Sequence, residues 1–157
     1  MASTAAPVET QTAKSTFVYV TFIRTTPERV WEALTSPEFT RQYWFGIHHE
    51  TDWKPGSPWR MVRENGMVTD TGEVLEADPP RRLVLKWRNE FVPEMNAEGY
   101  GRCVMEIEPI GGATKLTITH TSEHENSKLI RGVSGGWPKI LSNLKSLLET
   151  GELAIPA

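Results

Sequence analysis

Imidazole and phenol groups on the apolar faces of strands are the side chains of this sequence best suited to moving protons. His120 shares a strand face with Leu116 and Ile118, so its ring is expected to point into the interior. Tyr19 occupies the same kind of position on an earlier strand. Catalysis requires an acid and a base aimed at one substrate atom. His120 and Tyr19 are therefore the first catalytic candidates to test.

Other catalytic signals are weak. Glu73 and Glu106 could supply a carboxylate, but we expect them at the surface because carboxylates are seldom buried unpaired. The sequence contains no GxSxG nucleophile motif, no cysteine–histidine signature and no phosphate-binding loop. Nothing in the sequence shows that the candidate groups converge, so we do not favour an enzyme, and catalysis stays an open alternative.

Two pairs of histidines raise the question of a metal site. His48 and His49 are adjacent, and adjacent residues of a strand point to opposite faces, so the two rings cannot easily bind one ion. His120 and His124 have helical ligand spacing but lie at the end of a predicted strand. We therefore expect no metal and no cofactor.

Tryptophan is the most informative residue type, with six in 157 residues. Large aromatic rings hold flat apolar ligands well, and methionines add an adaptable surface. The same rings could instead fill the gap between a helix and a sheet, and both interpretations stay open. The residues that we expect to line a ligand site are Trp44, Trp59, Met61, Trp87, Phe91, Met95, Met105, Ile118, His120, Trp137, Ile140, Leu141 and Leu144.

Composition limits the kinds of partner. The net charge of -3 is spread without long runs, which argues against nucleic acid and against an anionic membrane. The single cysteine, Cys103, lies in an apolar alternating segment and is expected to be a buried, inert thiol. No apolar run reaches the roughly 20 residues that span a membrane. We expect a cytoplasmic protein with a disordered tail over residues 1–15, one domain over 16–152 and a short C-terminal tail over 153–157.

Local patterns predict the elements that position these side chains. Residues 16–25 are rich in β-branched and aromatic residues and predict a first strand. The Thr-Pro pair at 26–27 starts a short helix, and the Ser-Pro pair at 36–37 starts a second one that ends near Tyr43. Turn residues at short intervals then separate segments with strand periodicity, which implies antiparallel neighbours. These segments are 57–64, 67–77, 82–89, 101–109 and 114–122.

The C-terminal stretch SGGWPKILSNLKSLLETGE, residues 134–152, carries apolar side chains at helical spacing. The helix is expected to begin near Ser127 and to stop at Gly151. Two glycines and a proline weaken it, since an interior glycine costs about 1 kcal/mol and an interior proline about 3 kcal/mol. We therefore predict an irregular helix over 134–138, with Trp137 buried beside a cavity.

A long amphipathic helix must bury its apolar stripe, and the concave side of a twisted sheet is the available partner. Such a helix rarely fills the concavity completely, so the space left over is a candidate pocket. The connection over residues 89–101, which contains one proline and two glycines, could form its lid or portal.

The order of these elements, together with several motifs, resembles the Bet v 1-like or START-like helix-grip superfamily and, within it, the family named after the carboxy-terminal domain of the Hsp90 ATPase activator Aha1. The motifs are TTPERVWEALTSPE at 25–38, YWFG at 43–46, DWKPGSP at 52–58, GEVLEADPPRRLVLKW at 72–87 and GGWPKILSNLKSLLETG at 135–151. The resemblance implies an α+β helix-grip fold. This fold has a curved antiparallel sheet of about seven strands, two short helices and a long C-terminal helix around an internal cavity.

The resemblance implies less about activity. The eukaryotic cochaperones of the family carry a separate amino-terminal domain, and this chain has only residues 1–15 in its place, so we do not expect an Hsp90 interaction. Our first hypothesis is binding of a small hydrophobic or aromatic molecule in the cavity, with a stress-related role left open. The alternatives are a polyketide-cyclase-like or related lyase enzyme and, third, a cochaperone-like protein-binding module. A homodimer is also left open.

Overall fold

The computed structural model describes residues 13–156. Within them the strands are β1 (Ser15–Ile23), β2 (His48–Glu50), β3 (Pro58–Val62), β4 (Val68–Asp78), β5 (Arg82–Asn89), β6 (Gly101–Ile110) and β7 (Ala113–Ser122). The helices are α1 (Pro27–Thr35), α2 (Pro37–Tyr43), α3 (Pro93–Asn96) and α4 (Lys128–Thr150). The strands of this described part form one antiparallel sheet in the order β1-β7-β6-β5-β4-β3-β2. The predicted α+β helix-grip architecture is confirmed, whereas residues 1–12 of the predicted tail lie outside the described residues.

The strand predictions agree closely with the structure. Segment 82–89 coincides with β5, and the other predicted strands differ from the observed ones by at most two residues at either end. Only β2 was not predicted. It consists of three residues, too few for a period-two pattern, and it pairs with β3 in the register His49↔Met61.

Both short helices begin where the sequence indicates. The side chain of Thr26 caps α1 by accepting a hydrogen bond from the backbone N–H of Arg29 at 3.2 Å. A proline is the first residue of each helix, a position where its missing N–H has no helical partner. The Tyr43 hydroxyl then donates to the carbonyl of Ala33 across 2.8 Å, which ties α2 to α1. This buried contact fixes the end of α2 against α1.

The C-terminal helix is α4, which Ser127 caps and Gly151 ends in a left-handed conformation with φ 84°. It runs without interruption through residues 134–138, contrary to the predicted irregularity. Pro138 lacks a backbone N–H, so it removes one helical hydrogen bond. Burial of Trp137, which is only 2% exposed, contributes the packing that sustains most helices in proteins.

The core lies between the concave face of the sheet and α4. Cys103 is fully buried on β6, as predicted. At the free edge of β1, the Lys145 ammonium donates to the carbonyl of Phe22 and the Arg24 N–H donates to Glu149 Oε2 at 2.8 Å. These contacts cover one end of an edge strand that would otherwise offer unpaired backbone groups.

The chain folds back after α4. The side chain of Asn143 exchanges two hydrogen bonds with the backbone of Ile155, at 3.0 and 2.6 Å, and Leu153 packs against the core. No helix among residues 13–156 is long and apolar enough to cross a membrane.

Candidate ligand-binding cavity

A cavity of about 270 Å³ lies between strands β3 to β5, helix α4 and the connection that follows β5. Its wall is mostly apolar and includes the rings of Trp44, Trp87 and Trp137. Four polar residues, Arg63, Thr69, Asp70 and Asn89, interrupt this apolar lining. Concave, largely apolar sites with a few polar groups are typical of small-molecule binding.

Exposed residues mark the opening of the cavity. Arg63, Phe91 and Gly132 line it and are exposed to solvent. The Arg63 guanidinium lies 5.2 Å from the centre of the Phe91 ring, within the range of a cation–π contact. Phe91 belongs to the connection between β5 and β6, which was predicted to form a lid or portal. This connection does border the cavity.

Two glycines of α4 leave the room that the cavity occupies. A Cβ atom on Gly136 would meet no heavy atom within 4 Å, and Gly136 lines the cavity. A Cβ atom on Gly132 would lie 2.7 Å from Cε of Met95, so the missing side chain allows α3 to approach α4. Gly132 therefore allows a close contact between α3 and α4, and Gly136, one of the two glycines that weaken the helix in the sequence, leaves space at the cavity.

Four of the six tryptophans form one connected cluster. The centre of the Trp137 ring lies 5.2 Å from that of Trp44 and 6.0 Å from that of Trp87, and Trp87 in turn lies 4.7 Å from Trp59. Edge-to-face and tilted pairs at these distances stabilise each other beyond simple burial. Both interpretations of the tryptophans thus apply. Trp44, Trp87 and Trp137 line the cavity and pack the core, whereas Trp59 only packs the core.

Two buried histidines accept hydrogen bonds from this cluster. Nε1 of Trp59 donates to Nδ1 of His49 at 2.9 Å, and Nε1 of Trp137 donates to Nδ1 of His120 at 3.1 Å. An accepting Nδ1 carries no proton, so each neutral ring holds its proton on Nε2. Neither Nε2 atom has a hydrogen-bond partner in the described part of the chain. Burial lowers the pKa of both histidines to about 3, which keeps both rings neutral.

The third tryptophan of this set donates to a carboxylate. Nε1 of Trp87 donates to Oδ2 of Asp70 at 2.8 Å, and Asp70 is 6% exposed. Burial raises the pKa of Asp70, while hydrogen bonds from Thr69 and Trp87 act in the opposite direction. The charge of Glu90 also raises this pKa, and that of Arg63 lowers it slightly. Asp70 is therefore a carboxyl group with a perturbed pKa on the wall of an apolar cavity, an arrangement common at functional sites.

Sequence reasoning missed Asp70, although a signal was present. Val74 is a fully buried residue of β4, and residues two and four positions away on a strand share its face. Asp70 lies four positions before Val74 and opposite Met61 in the register of β3 and β4. The alternation of β4 thus predicts that Asp70 points inward.

Comparison with known proteins identifies the family. Residues 24–149 match the family model described as Activator of Hsp90 ATPase homolog 1-like protein. The chain belongs to this family. The match spans everything from the end of β1 to the last turn of α4 and confirms the resemblance found in the sequence.

Solved structures share the fold of this family member. MLL2253 from Mesorhizobium loti is 22% identical with a TM-score of 0.73, over 85% of this chain and 96% of that one. CalU16 from Micromonospora echinospora is 20% identical with a TM-score of 0.69, over 87% and 77% of the two chains. PFC0360w, an HSP90 activator from Plasmodium falciparum, is 22% identical with a TM-score of 0.68, over 85% and 95%. No curated protein matches the chain.

Only part of the predicted ligand site of this family member borders the cavity. The predicted residues that line it are Trp44, Met61, Trp87, Phe91, Met95, Trp137 and Ile140. The predicted residues that are buried in the core away from it are Trp59, Met105, Ile118, His120, Leu141 and Leu144. The side chains of this second group are packed among other buried residues of the core.

The predicted catalytic groups do not meet in the cavity. His120 is fully buried behind Trp137, and Tyr19 lies on β1 with its ring stacked 6.3 Å from that of Phe17. Neither residue lines the cavity. Glu106 forms a salt bridge with Arg82 at 3.0 Å on the other face of the sheet. In residues 13–156, no three His, Cys, Asp or Glu side chains gather in a geometry that could hold a metal ion.

Proposed function

We propose that this member of the family binds a small apolar molecule with an aromatic ring in the cavity beneath α4. The observation that carries the proposal is the open space at Gly136, bordered by the rings of Trp44, Trp87 and Trp137. Flat rings favour flat ligands because aromatic pairs stabilise each other in edge-to-face and offset arrangements. The adaptable side chains of Met61 and Met95 support a site that accepts related molecules.

The size of the cavity limits the ligand and its affinity. A volume of about 270 Å³ suits a compact molecule with one or two fused rings rather than a drug-sized one. Roughly 12 non-hydrogen atoms at about 0.4 kcal/mol each would contribute about 5 kcal/mol, equivalent to a dissociation constant near 0.2 mM. Binding of this strength requires a direct titration.

The proposal is tested by titrating the protein with 2-methylnaphthalene, a flat apolar probe. Amide and indole N–H signals are followed by NMR, together with tryptophan fluorescence. We expect saturable shifts of the indole signals of Trp44, Trp87 and Trp137, with a dissociation constant in the submillimolar range. The urea-unfolded protein is the control and should show no saturation. Linear, unsaturable changes in the folded protein, with 2-methylnaphthalene and with its hydroxyl analogue 2-naphthol alike, would remove the proposal.

An enzymatic function is the second candidate, and the position of Asp70 in the cavity favours it. Asp70 is the titratable residue within the cavity itself whose pKa is clearly raised, whereas His120 is buried elsewhere. A polyketide-cyclase-like or lyase reaction would therefore use Asp70 as its acid or base. The Asp70→Asn variant should then lose turnover while still binding 2-methylnaphthalene, whereas unchanged turnover would exclude this role. Neither proposal involves Hsp90, because both rest on the cavity alone.

A further inference from the structure

The cavity has one polar end, formed by two residues on neighbouring strands. Asp70 of β4 and Asn89 of β5 are direct cross-strand partners in the antiparallel register. Side chains of such partners lie side by side on the same face of the sheet. Both residues line the cavity, and each is only 6% exposed. Buried polar groups are unfavourable unless they form hydrogen bonds, so their partners are informative.

The hydrogen bonds of Asn89 fix the orientation of its amide. Its Oδ1 accepts from the backbone N–H groups of Phe91 and Val92, at 3.1 and 2.8 Å. Nδ2 is therefore the other end of the amide, a donor with two hydrogens. Within residues 13–156 no protein group accepts from this Nδ2. Asn89 thus offers an unused donor at the cavity.

The carboxyl group of Asp70 complements this donor. Trp87 donates to Oδ2 and holds the carboxyl group in place. A carboxylate has about four lone-pair positions, so it can accept a further hydrogen bond. The polar end of the cavity therefore presents one donor and one acceptor side by side, each fixed by a protein contact.

Charge around this end selects among ligand groups. Asp70 on the lining would repel a ligand carboxylate or phosphate at this end, whereas Glu90 lies outside the lining and pairs with Arg88. An ammonium group would face the guanidinium of Arg63 on the cavity lining and would offer no acceptor to Asn89. A neutral hydroxyl group accepts one hydrogen bond and donates another, which fits both residues.

We propose that the natural ligand carries a hydroxyl group on its aromatic ring, which accepts from Asn89 Nδ2 and donates to the Asp70 carboxylate. The ring itself then packs against Trp87 and Trp137. The ligand class is a small phenol or naphthol. This inference rests on the proposed function, because it assigns a chemical group to the same cavity. A site built to pair with a hydroxyl group rejects the analogue that lacks it, since its buried polar groups are then left unpaired.

Two probes of the same shape test the inference. 2-Naphthol and 2-methylnaphthalene differ by a hydroxyl group in place of a methyl group. In NMR titrations of the wild-type protein we expect 2-naphthol to bind at least tenfold more tightly. Equal dissociation constants would overturn the inference and leave the proposed function intact. Failure of both probes to bind would overturn the proposed function and the inference together.

Two isosteric variants then test whether Asp70 and Asn89 are the residues that bind the hydroxyl group. Asp70→Asn removes the carboxylate but keeps an oxygen for Trp87, and Asn89→Asp removes the donor but keeps an oxygen for Phe91 and Val92. In each variant the preference for 2-naphthol should fall to within about threefold, while the affinity for 2-methylnaphthalene stays within about threefold of wild type. A preference that persists in both variants would show that the hydroxyl group is recognised elsewhere and would overturn the inference. If a variant fails to fold, the comparison of 2-naphthol with 2-methylnaphthalene on the wild-type protein still tests whether the hydroxyl group is recognised.

Discussion

The indole Nε1 of Trp137 donates a hydrogen bond to Nδ1 of His120 across 3.1 Å, with both side chains buried beneath α4. The bond joins the terminal helix to β7, the strand next to the edge strand β1. Trp59 and His49 repeat the arrangement between β3 and β2. In both pairs the tryptophan supplies the donor that a neutral, buried histidine requires, so the stability of the fold depends on histidines that stay unprotonated.

Acid should therefore begin to destabilise the protein at pH values well above those at which carboxylates usually titrate. The pKa of His49 and of His120 is about 3 in the folded protein, and both titrate near 6.5 when unfolded. The unfolded state binds more protons between these values, so the stabilisation is complete above about pH 6.5 and is lost as the pH falls. Between pH 7 and pH 5 the loss is about 2 kcal/mol per histidine. Urea unfolding at the two pH values measures it.

His120→Gln is the matched variant for this measurement. Glutamine can accept the hydrogen bond from Trp137 and does not titrate. The variant should lose about 2 kcal/mol less than wild type between pH 7 and pH 5. The raised pKa of Asp70 acts in the opposite direction in both proteins and cancels in the comparison. An identical loss in wild type and variant would show that His120 is not the titrating group.

A glycine of β4 should tolerate no side chain at all. A Cβ atom on Gly72 would lie 1.7 Å from the carbonyl oxygen of Lys86 on β5, so the strands would have to separate. We expect Gly72→Ala to lower the free energy of unfolding by at least about 4 kcal/mol, an exceptional loss for one substitution. Gly112→Ala is the control, because a Cβ there meets no atom within 4 Å and the change should stay within about 0.5 kcal/mol. Similar urea midpoints for the two variants would contradict the close approach of β4 and β5.

The contribution of the Trp137 hydrogen bond to stability can be measured separately from that of the packing of its ring. Trp44 belongs to the same cluster, but its indole N–H has no hydrogen-bond partner within residues 13–156. Replacement of either residue by phenylalanine removes ring area, and only Trp137→Phe also leaves the buried Nδ1 of His120 without a donor. We expect Trp137→Phe to cost about 1 to 3 kcal/mol more than Trp44→Phe at pH 7, measured by urea unfolding. Equal costs would mean that the hydrogen bond contributes nothing.

Most of the fold could be predicted from the sequence because its signals are local. A Thr-Pro pair marks the start of α1 and a Ser-Pro pair that of α2, and closely spaced turns delimit β4 to β7. The exception is β2, whose three residues form a strand only because β3 lies beside them. Irregularity of α4 was also predicted incorrectly, since local propensity does not register the burial of Trp137.

The site was harder to predict because its position depends on how α4 rests on the sheet. Apolar spacing places Leu141 and Leu144 on the same helix face as Trp137 and Ile140. This spacing does not show that Leu141 and Leu144 are packed in the core, whereas Trp137 and Ile140 border the cavity. Gly136 lines the cavity, and its missing side chain leaves part of that space empty. In the sequence, Gly136 indicated only a local loss of helix propensity.

The central claim is that a ligand occupies the space beneath Gly136, and one pair of variants tests it most directly. Gly136→Leu places a side chain in the cavity without meeting the backbone, whereas Gly135→Leu places the same side chain on the exposed, open side of the same helix turn. Both changes replace a glycine by a better helix former, so neither should destabilise the fold.

The measurement is the dissociation constant of 2-naphthol for both variants and for wild type, obtained by NMR titration. We predict that Gly136→Leu weakens binding at least tenfold and that Gly135→Leu binds within about twofold of wild type. Unchanged binding in Gly136→Leu, with the fold intact, would contradict the account, because the ligand would then bind outside the cavity.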